Sequence, residues 1–231
     1  MLAGYASLAS ASIIPVSLVE MSGTGLGAAN TVLTIQSPGS STIETGCTAW
    51  NGTAAVTAGC GFANSNVQAQ FGAPTLASTG ATSAADLRIV FNASEPGSAS
   101  DIQLNQLVLT FYNSSGTLTD LHSLAAPIFF PSVQNGAGNS GFVFSLDAAE
   151  AAAAQTFINN NGGSGSVHIG LGASAGVAAG GPGSATGGLE TFFVEGSASI
   201  GGGGVPEPDS SLLIGAGLLI VAFVVRRRRA A

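Results

Sequence analysis

The segment Leu87-Arg88-Ile89-Val90-Phe91 indicates most clearly which kind of fold the chain adopts. Its apolar residues Leu87, Ile89 and Phe91 recur at every second position, and a β-strand points alternate side chains to the same face. The period of two therefore predicts a strand with one face in a hydrophobic core.

The same alternation recurs in further segments along the chain. These segments are 102–104, 107–111, 118–124, 142–146, 167–171 and 191–194. Between 102–104 and 107–111 the apolar residues change from even to odd positions, at Asn105-Gln106, which predicts a β-bulge or a strand break. The polar segment Asn113–Gly116 predicts a turn, from which 118–124 returns as a partner strand.

One segment predicts a helix instead. Asp147 can cap a helix, and Glu150, three residues later, completes the spacing of a capping box. An alanine-rich stretch follows, and Asn159–Gly163 ends it. Short strands, frequent turns and one short α-helix predict a mainly β ectodomain, folded as an antiparallel β-sandwich or jelly roll. A parallel α/β sheet would need several crossover helices.

The composition is typical of a secreted β-protein. Of the 231 residues, 45% are hydrophobic and 7% are charged, and glycine occurs 34 times. Disordered chains combine low hydrophobicity with high net charge, so we expect a folded body. Residues 1–205 contain one cation, Arg88, against ten acids. A body this acidic lacks the basic surface that binds phosphate, which argues against nucleic acid as a partner.

The two cysteines, Cys47 and Cys60, bracket a loop that contains Trp50. In an exported chain such a pair predicts a disulfide. Two buried thiols are the alternative. A zinc site is disfavoured, because neither histidine lies near the cysteines in the sequence and a second cysteine pair is missing.

The ends of the chain differ from the body. Residues 1–29 are apolar and rich in small side chains but lack the positive charge that opens a secretory signal. We interpret them as a signal-peptide remnant or leader, with an ordinary apolar strand as the alternative. Residues 30–197 form the ectodomain, 198–204 a glycine-rich linker, and 205–231 a C-terminal segment.

The C-terminal segment has three parts in a fixed order: a proline-containing motif, the apolar run Leu212–Val225, and four arginines. A helix over the run would be about 21 Å long, short of a hydrocarbon core of about 30 Å, and flanking side chains can extend it. This pattern predicts a single transmembrane helix with the arginines in the cytoplasm and the body outside. The motif comprises Val205, Pro206, Glu207 and Pro208, and the cluster comprises Arg226, Arg227, Arg228 and Arg229.

Val205–Arg229 resembles the PEP-CTERM sorting signal of Gram-negative bacteria. The resemblance implies that exosortase, a membrane-embedded cysteine transpeptidase, recognises the Pro-Glu-Pro element and removes the helix. It implies a protein held in the inner membrane, then released to the cell surface or medium, in a family linked to exopolysaccharide and biofilm. The body is similar to a recurrent ectodomain type of this family, which implies location but no activity. The similar segments are 44–52, 87–97, 142–155 and 187–193.

Few residues of the body could carry chemistry. Asp120 and His122 would share a strand face and, with a serine, could imitate a catalytic triad. As the alternative to a triad, we expect Asp120 and His122 to lie on a polar strand face that is exposed to solvent beside a turn. We also expect His168 to face solvent. We therefore predict no catalytic residues and no enzyme.

Other side chains could bind ligands. The acids could hold a structural calcium, although no Asp-x-Asp-x-Asp loop is present, so we predict no cofactor. The aromatic residues Trp50, Tyr112 and Phe193 are candidates for glycan contact, with core packing as the alternative. The candidate acids are Glu44, Glu95, Asp101, Glu190 and Glu195.

The sequence as a whole predicts an exported, non-enzymatic surface or matrix protein that associates with exopolysaccharide. One alternative is a secreted hydrolase of matrix polysaccharide, which would need converging carboxylates. The other is a purely structural protein that associates with copies of itself.

Overall fold

The computed structural model describes residues 13–21, 30–37, 41–62, 66–94, 101–131, 133, 141–178, 181–185 and 188–198. It confirms a mainly β fold with antiparallel sheets and one helix. The strands are β1 Ile13–Met21, β2 Asn30–Ile35, β3 Ile43–Cys47, β4 Ala49–Trp50, β5 Ala55–Val56, β6 Leu87–Asn92, β7 Ile102–Tyr112, β8 Thr119–Ser123, β9 Ile128–Phe130, β10 Gly141–Leu146, β11 His168–Gly176 and β12 Glu190–Gly196; the helix α1 is Ala148–Asn160, and a short 3₁₀ turn spans Ala77–Thr79.

Ten of the strands form two antiparallel sheets. Sheet A has the order β1-β10-β6-β12-β2, and sheet B has the order β3-β11-β7-β8. β9 also pairs with β7, through residues 102–104, while β8 pairs farther along it, through residues 108–112. The short strands β4 and β5 pair with each other as a separate hairpin.

The two sheets share one hydrophobic core. β6 contributes its alternating residues Leu87, Ile89 and Phe91, all buried, as the period of two predicts. The ring of Phe91 lies 4.9 Å from that of Phe192 on the neighbouring strand β12 and 5.7 Å from that of Phe130 on β9. Aromatic packing therefore links sheet A to sheet B through the interior.

The predicted phase slip is a β-bulge in β7. Ser174 of β11 pairs with Gln106 and Ala175 pairs with Leu104, so Asn105 has no partner in the ladder. The Asn105 amide nitrogen donates to the carbonyl of Gly176. The extra residue turns Gln106 away from the core, onto the same outer face as Val108, and leaves it exposed.

Helix α1 begins where its cap predicts. The Asp147 carboxylate accepts from the backbone N–H groups of Ala149 and Glu150, at 2.9 Å each, which satisfies two donors of the first turn. Ala151, Ala154 and Ile158 lie three to four residues apart and are buried in the shared core.

Strand β1 lies within the segment 1–29. It pairs with β10 at the edge of sheet A, and Ile13 is buried in the core. This is the behaviour of an ordinary apolar strand; the processing of the N-terminus stays a prediction. In the described part of the chain, every helix is too short or too polar to cross a bilayer. The predicted transmembrane helix lies outside the described residues.

Candidate functional site

The Cys47–Cys60 disulfide is present, which confirms that prediction. It closes residues 47–60, and we call these residues together with Gly61 and Phe62 the disulfide loop. Cys47 ends β3 and is buried, with its Cα 6.1 Å from that of Cys60. The next residue, Thr48, ties the loop to sheet B: its N–H donates to the carbonyl of Leu171 at 2.7 Å, and its hydroxyl accepts from the Leu171 N–H at 3.2 Å.

The disulfide loop lies on the outer face of β11 because glycines there leave room for it. A Cβ atom on Gly170 would lie 2.4 Å from the carbonyl oxygen of Thr48, and a Cβ atom on Gly172 would lie 2.3 Å from the ring of Phe62. Glycine inside a strand commonly marks such a close approach. The alternation of glycines in 168–176 was thus the sequence signal for this contact, and sequence reasoning missed it.

Trp50 and His168 form a stack at the end of the disulfide loop. Their ring centroids are 3.7 Å apart and their planes differ by 5°. The Trp50 indole N–H donates to the carbonyl of Ser114 at 2.9 Å, and His168 Nδ1 donates to the carbonyl of Ala73 at 2.8 Å. His168 lies on the outer face, as its strand position predicts. Trp50 covers it, so the expectation that it faces solvent is wrong.

An open groove of about 350 Å³ runs between the disulfide loop and β8. The half-buried ring of Phe62 stands on one side, and the strand register places Val108 between Phe62 and the β8 residues Leu121 and Ser123. Gln106, turned outward by the bulge, also lines the groove. The described residues that line the groove are all uncharged.

The predicted glycan contacts, Trp50, Tyr112 and Phe193, do not line this groove. Tyr112 is only 6% exposed and Phe193 only 9% exposed. Burial raises the pKa of the Tyr112 phenol above its usual value, while a hydrogen bond with Thr110 opposes that rise. Contact of either ring with a glycan would require the surrounding strands to move. Trp50 is half-buried, and one of its faces lies on His168.

His122 faces the interior, not solvent, so the expected polar solvent face is wrong. The residue is 2% exposed, its Nε2 lies 3.1 Å from Asp120 Oδ2, and its Nδ1 lies 3.0 Å from Glu150 Oε2. The reason is α1, which packs against β8 and brings Glu150 to the far side of the ring. Since both ring nitrogens are engaged by carboxylates, neither is placed to activate a serine, as a triad requires.

The described candidate calcium ligands do not form one cluster. Glu44 Oε1 accepts from the Ser37 N–H at 2.7 Å, and Asp101 Oδ1 accepts from the Gly183 N–H at 2.8 Å. Burial raises the pKa of Glu195 above its usual value. Glu190 is buried in β12, and Glu95 lies outside the described residues. Within the part of the chain that is described, no three acidic, His or Cys side chains are grouped so that they could hold a metal ion.

Asp86 fastens the C-terminal end of the body. Its carboxylate accepts from the backbone N–H and the hydroxyl of Ser197 and from the Thr82 N–H, while its carbonyl accepts a further bond from the Ser197 N–H at 2.9 Å. The Ser197 hydroxyl, followed by the Thr82 N–H, lowers the pKa of Asp86 from 3.8 to about 2. The end of β12 is thereby held to the beginning of β6.

The C-terminal segment carries the family evidence. Residues 204–229 match the family model described as the PEP-CTERM protein-sorting motif. This motif defines the class: an exported protein with a membrane-anchored sorting signal at its C-terminus. The PEP-CTERM sorting motif at residues 204–229 is consistent with a substrate of exosortase. Comparison with curated proteins found no match, and comparison with solved structures found none.

The match covers the predicted sorting residues, from Val205 to Arg229, which lie outside the described residues. Their individual roles, with Pro-Glu-Pro recognised by exosortase and the arginines in the cytoplasm, stay predictions.

Proposed function

We propose that the body is a non-enzymatic β-sandwich that associates with extracellular polysaccharide once exosortase has removed the C-terminal helix. In this proposal, residues 212–225 hold the chain in the inner membrane before processing, with Arg226–Arg229 in the cytoplasm. The sorting motif sends the protein out of the cell. The observation that carries the proposal is the open, uncharged groove on the outer face of sheet B, since it offers an exported body a surface for a neutral polymer.

The arrangement of titratable groups supports a binding role over catalysis. A general base needs a nitrogen or carboxylate within hydrogen-bond reach of substrate. His122 is buried between Asp120 and Glu150, and His168 lies beneath Trp50 with Nδ1 engaged by a carbonyl. Asp120 and Glu150 converge on the buried His122 and not on an open cleft.

A second candidate function is self-association at the edge of sheet B. Leu118, Leu121 and Phe129 lie on or beside the edge strands β8 and β9 and are 55%, 61% and 44% exposed. Apolar side chains on an edge strand favour pairing with another copy. This candidate predicts concentration-dependent oligomers that form without polysaccharide.

Export and processing are tested in the native host. Mass spectrometry of the mature protein should find a C-terminus near Pro206, and a host strain without exosortase should accumulate a longer chain in the membrane fraction. A mature chain that still ends beyond Arg229 in the unmodified host would contradict processing and indicate a permanent anchor.

Polysaccharide association is tested with mature protein isolated from the host. The protein is centrifuged with exopolysaccharide purified from the same host, and we expect it to sediment with the polymer. Release of reducing ends during the incubation would instead support the hydrolase. Sedimentation of the protein alone, at the same rate with and without polymer, would support self-association.

A further inference from the structure

We propose that the groove between the disulfide loop and β8 is the glycan site of this protein, and that it takes a neutral hexose chain. The proposal rests on the proposed function and assigns it to a place on the surface. The side chains that define the site are Phe62, Gln106, Val108, Leu121 and Ser123.

Phe62 supplies the surface against which a sugar ring packs. Sugar rings present C–H groups on their faces, and these pack against aromatic and aliphatic side chains. The Phe62 ring is fixed in place, because its edge rests on Gly172, where a Cβ atom would come within 2.3 Å. The disulfide at Cys60, two residues earlier, holds the same segment. A ring immobilised in this way loses little entropy when a ligand arrives.

Gln106 supplies a polar group that can recognise sugar hydroxyls. A primary amide both donates and accepts, which matches a hydroxyl group. The bulge at Asn105 gives Gln106 this position: without the extra residue, position 106 would continue the inward series of Ile102 and Leu104. Bulges are common where a functional side chain must be re-aimed. Ser123, on the neighbouring strand β8, places a hydroxyl in the groove as a second polar group.

The absence of charge around the groove selects the class of glycan. A uronate or sulfated sugar would bring its charge against Phe62, Val108 and Leu121 without a cationic partner, which is unfavourable. Arg88, the single cation of residues 1–205, lies on β6 in the other sheet. The volume of about 350 Å³ is at the lower end of ligand sites, which span roughly 300–1,000 Å³. An open groove of this size accommodates a short section of a polymer that continues in both directions.

The test uses mature protein from the host in four forms: unaltered, Phe62→Ala, Gln106→Ala and Phe71→Ala. Phe71 is a matched control, because it is also a partly exposed phenylalanine, 38% exposed, and it does not line the groove. Circular dichroism establishes that each variant is folded. Gln106→Ala changes an exposed side chain, so it tests the site even if Phe62→Ala impairs folding.

Two measurements are made on each form: co-sedimentation with the host exopolysaccharide, and calorimetric titration with a neutral β-glucan tetrasaccharide, a neutral mannan tetrasaccharide and a tetragalacturonate. We expect a neutral tetrasaccharide to bind. Both groove substitutions should weaken that binding and the co-sedimentation about tenfold, the loss typical of one well-packed contact, while Phe71→Ala changes neither.

The outcomes separate the groove from the proposed function. Co-sedimentation that persists unchanged in both groove variants would overturn the groove and leave the function standing. No co-sedimentation by the unaltered protein would overturn both. Binding of tetragalacturonate in preference to the neutral sugars would overturn the neutral ligand. If groove substitutions abolish self-association while glycan binding is retained, the occupant is a second copy and this assignment is wrong.

Discussion

Opening the Cys47–Cys60 disulfide is expected to lower the free energy of unfolding by about 3 kcal/mol. The two cysteines are 13 residues apart. A cross-link that closes a loop of this length removes about 10 cal/mol/K from the entropy of the unfolded chain, or about 3 kcal/mol at 25 °C in the loop-closure model. For a chain of this size, the same loss lowers the melting temperature by roughly 6–12 °C.

The assay compares oxidised protein, protein reduced with a phosphine, and the Cys47→Ala/Cys60→Ala variant in urea. Trp50 is the only tryptophan in the chain and lies inside the disulfide loop, so its fluorescence reports the loop. Far-ultraviolet circular dichroism reports the sheets. We expect both signals to change together and the urea midpoint to fall. Thr53→Ala, an exposed change in the same loop that leaves both cysteines, is the control and should leave the midpoint unaltered.

Two results would refute this reasoning. Reduced protein that is as stable as oxidised protein would mean that contacts such as Trp50 on His168 and Phe62 on Gly172 hold the loop by themselves. A fluorescence transition at lower urea than the circular dichroism transition, seen only after reduction, would mean that the loop detaches alone. The disulfide would then secure the loop, not the fold.

Two further predictions concern charged groups. His122→Leu should lower the free energy of unfolding by about 3 kcal/mol, because it removes the side chain that Asp120 and Glu150 both contact and leaves the two carboxylates facing each other. Adding Asp120→Asn and Glu150→Gln should recover at least half of the loss in urea titrations. No recovery would show that His122 contributes through the shape of its ring and not through its polar contacts. The pKa of Asp86 is lowered from 3.8 to about 2 in the folded protein. Its ionised carboxylate therefore adds fully to the free energy of unfolding above pH 3.8, and this contribution disappears as the pH falls through about 2. Ser197→Ala removes the main cause of this shift. It should lower the free energy of unfolding by about 1 kcal/mol near pH 5, after screening by solvent, and by little near pH 2. Equal losses at both pH values would contradict a role of the Asp86 charge.

Local patterns in the sequence were sufficient to predict the helix and six of the strands, β6, β7, β8, β10, β11 and β12, but they did not predict β2, β3, β4, β5 or β9. The alternation of Leu87, Ile89 and Phe91 predicts β6, because a strand in a two-sided fold must bury one face. The slip at Asn105-Gln106 predicts the bulge, and Asp147 predicts the start of α1. Each of these depends on neighbours within a few residues, where side-chain chemistry and backbone geometry are directly coupled.

The groove and the His122 cluster could not be predicted in the same way, because distant parts of the chain create them. Phe62 meets Gly172 across 110 residues of sequence, and His122 meets Glu150 only after α1 has packed against β8. Aromatic residues chosen from strand alternation, Tyr112 and Phe193, are instead largely buried. Alternation assigns a residue to a face of its sheet, but it does not show what covers that face.

The position of β12 secures the C-terminal end of the described body. β12 is the last strand in the part of the chain that the structure describes, yet it lies inside sheet A, paired with β6 on one side and β2 on the other. A pull on the end of β12 acts against both ladders at once, and Asp86 holds Ser197 directly beyond the strand. Within the described residues, β12 pairs with β6 and β2, which are both strands of the body. The groove lies on sheet B, in the other layer, and its walls come from the disulfide loop, β7 and β8. The proposed glycan site and β12, the strand that precedes the sorting segment in the sequence, thus belong to different sheets.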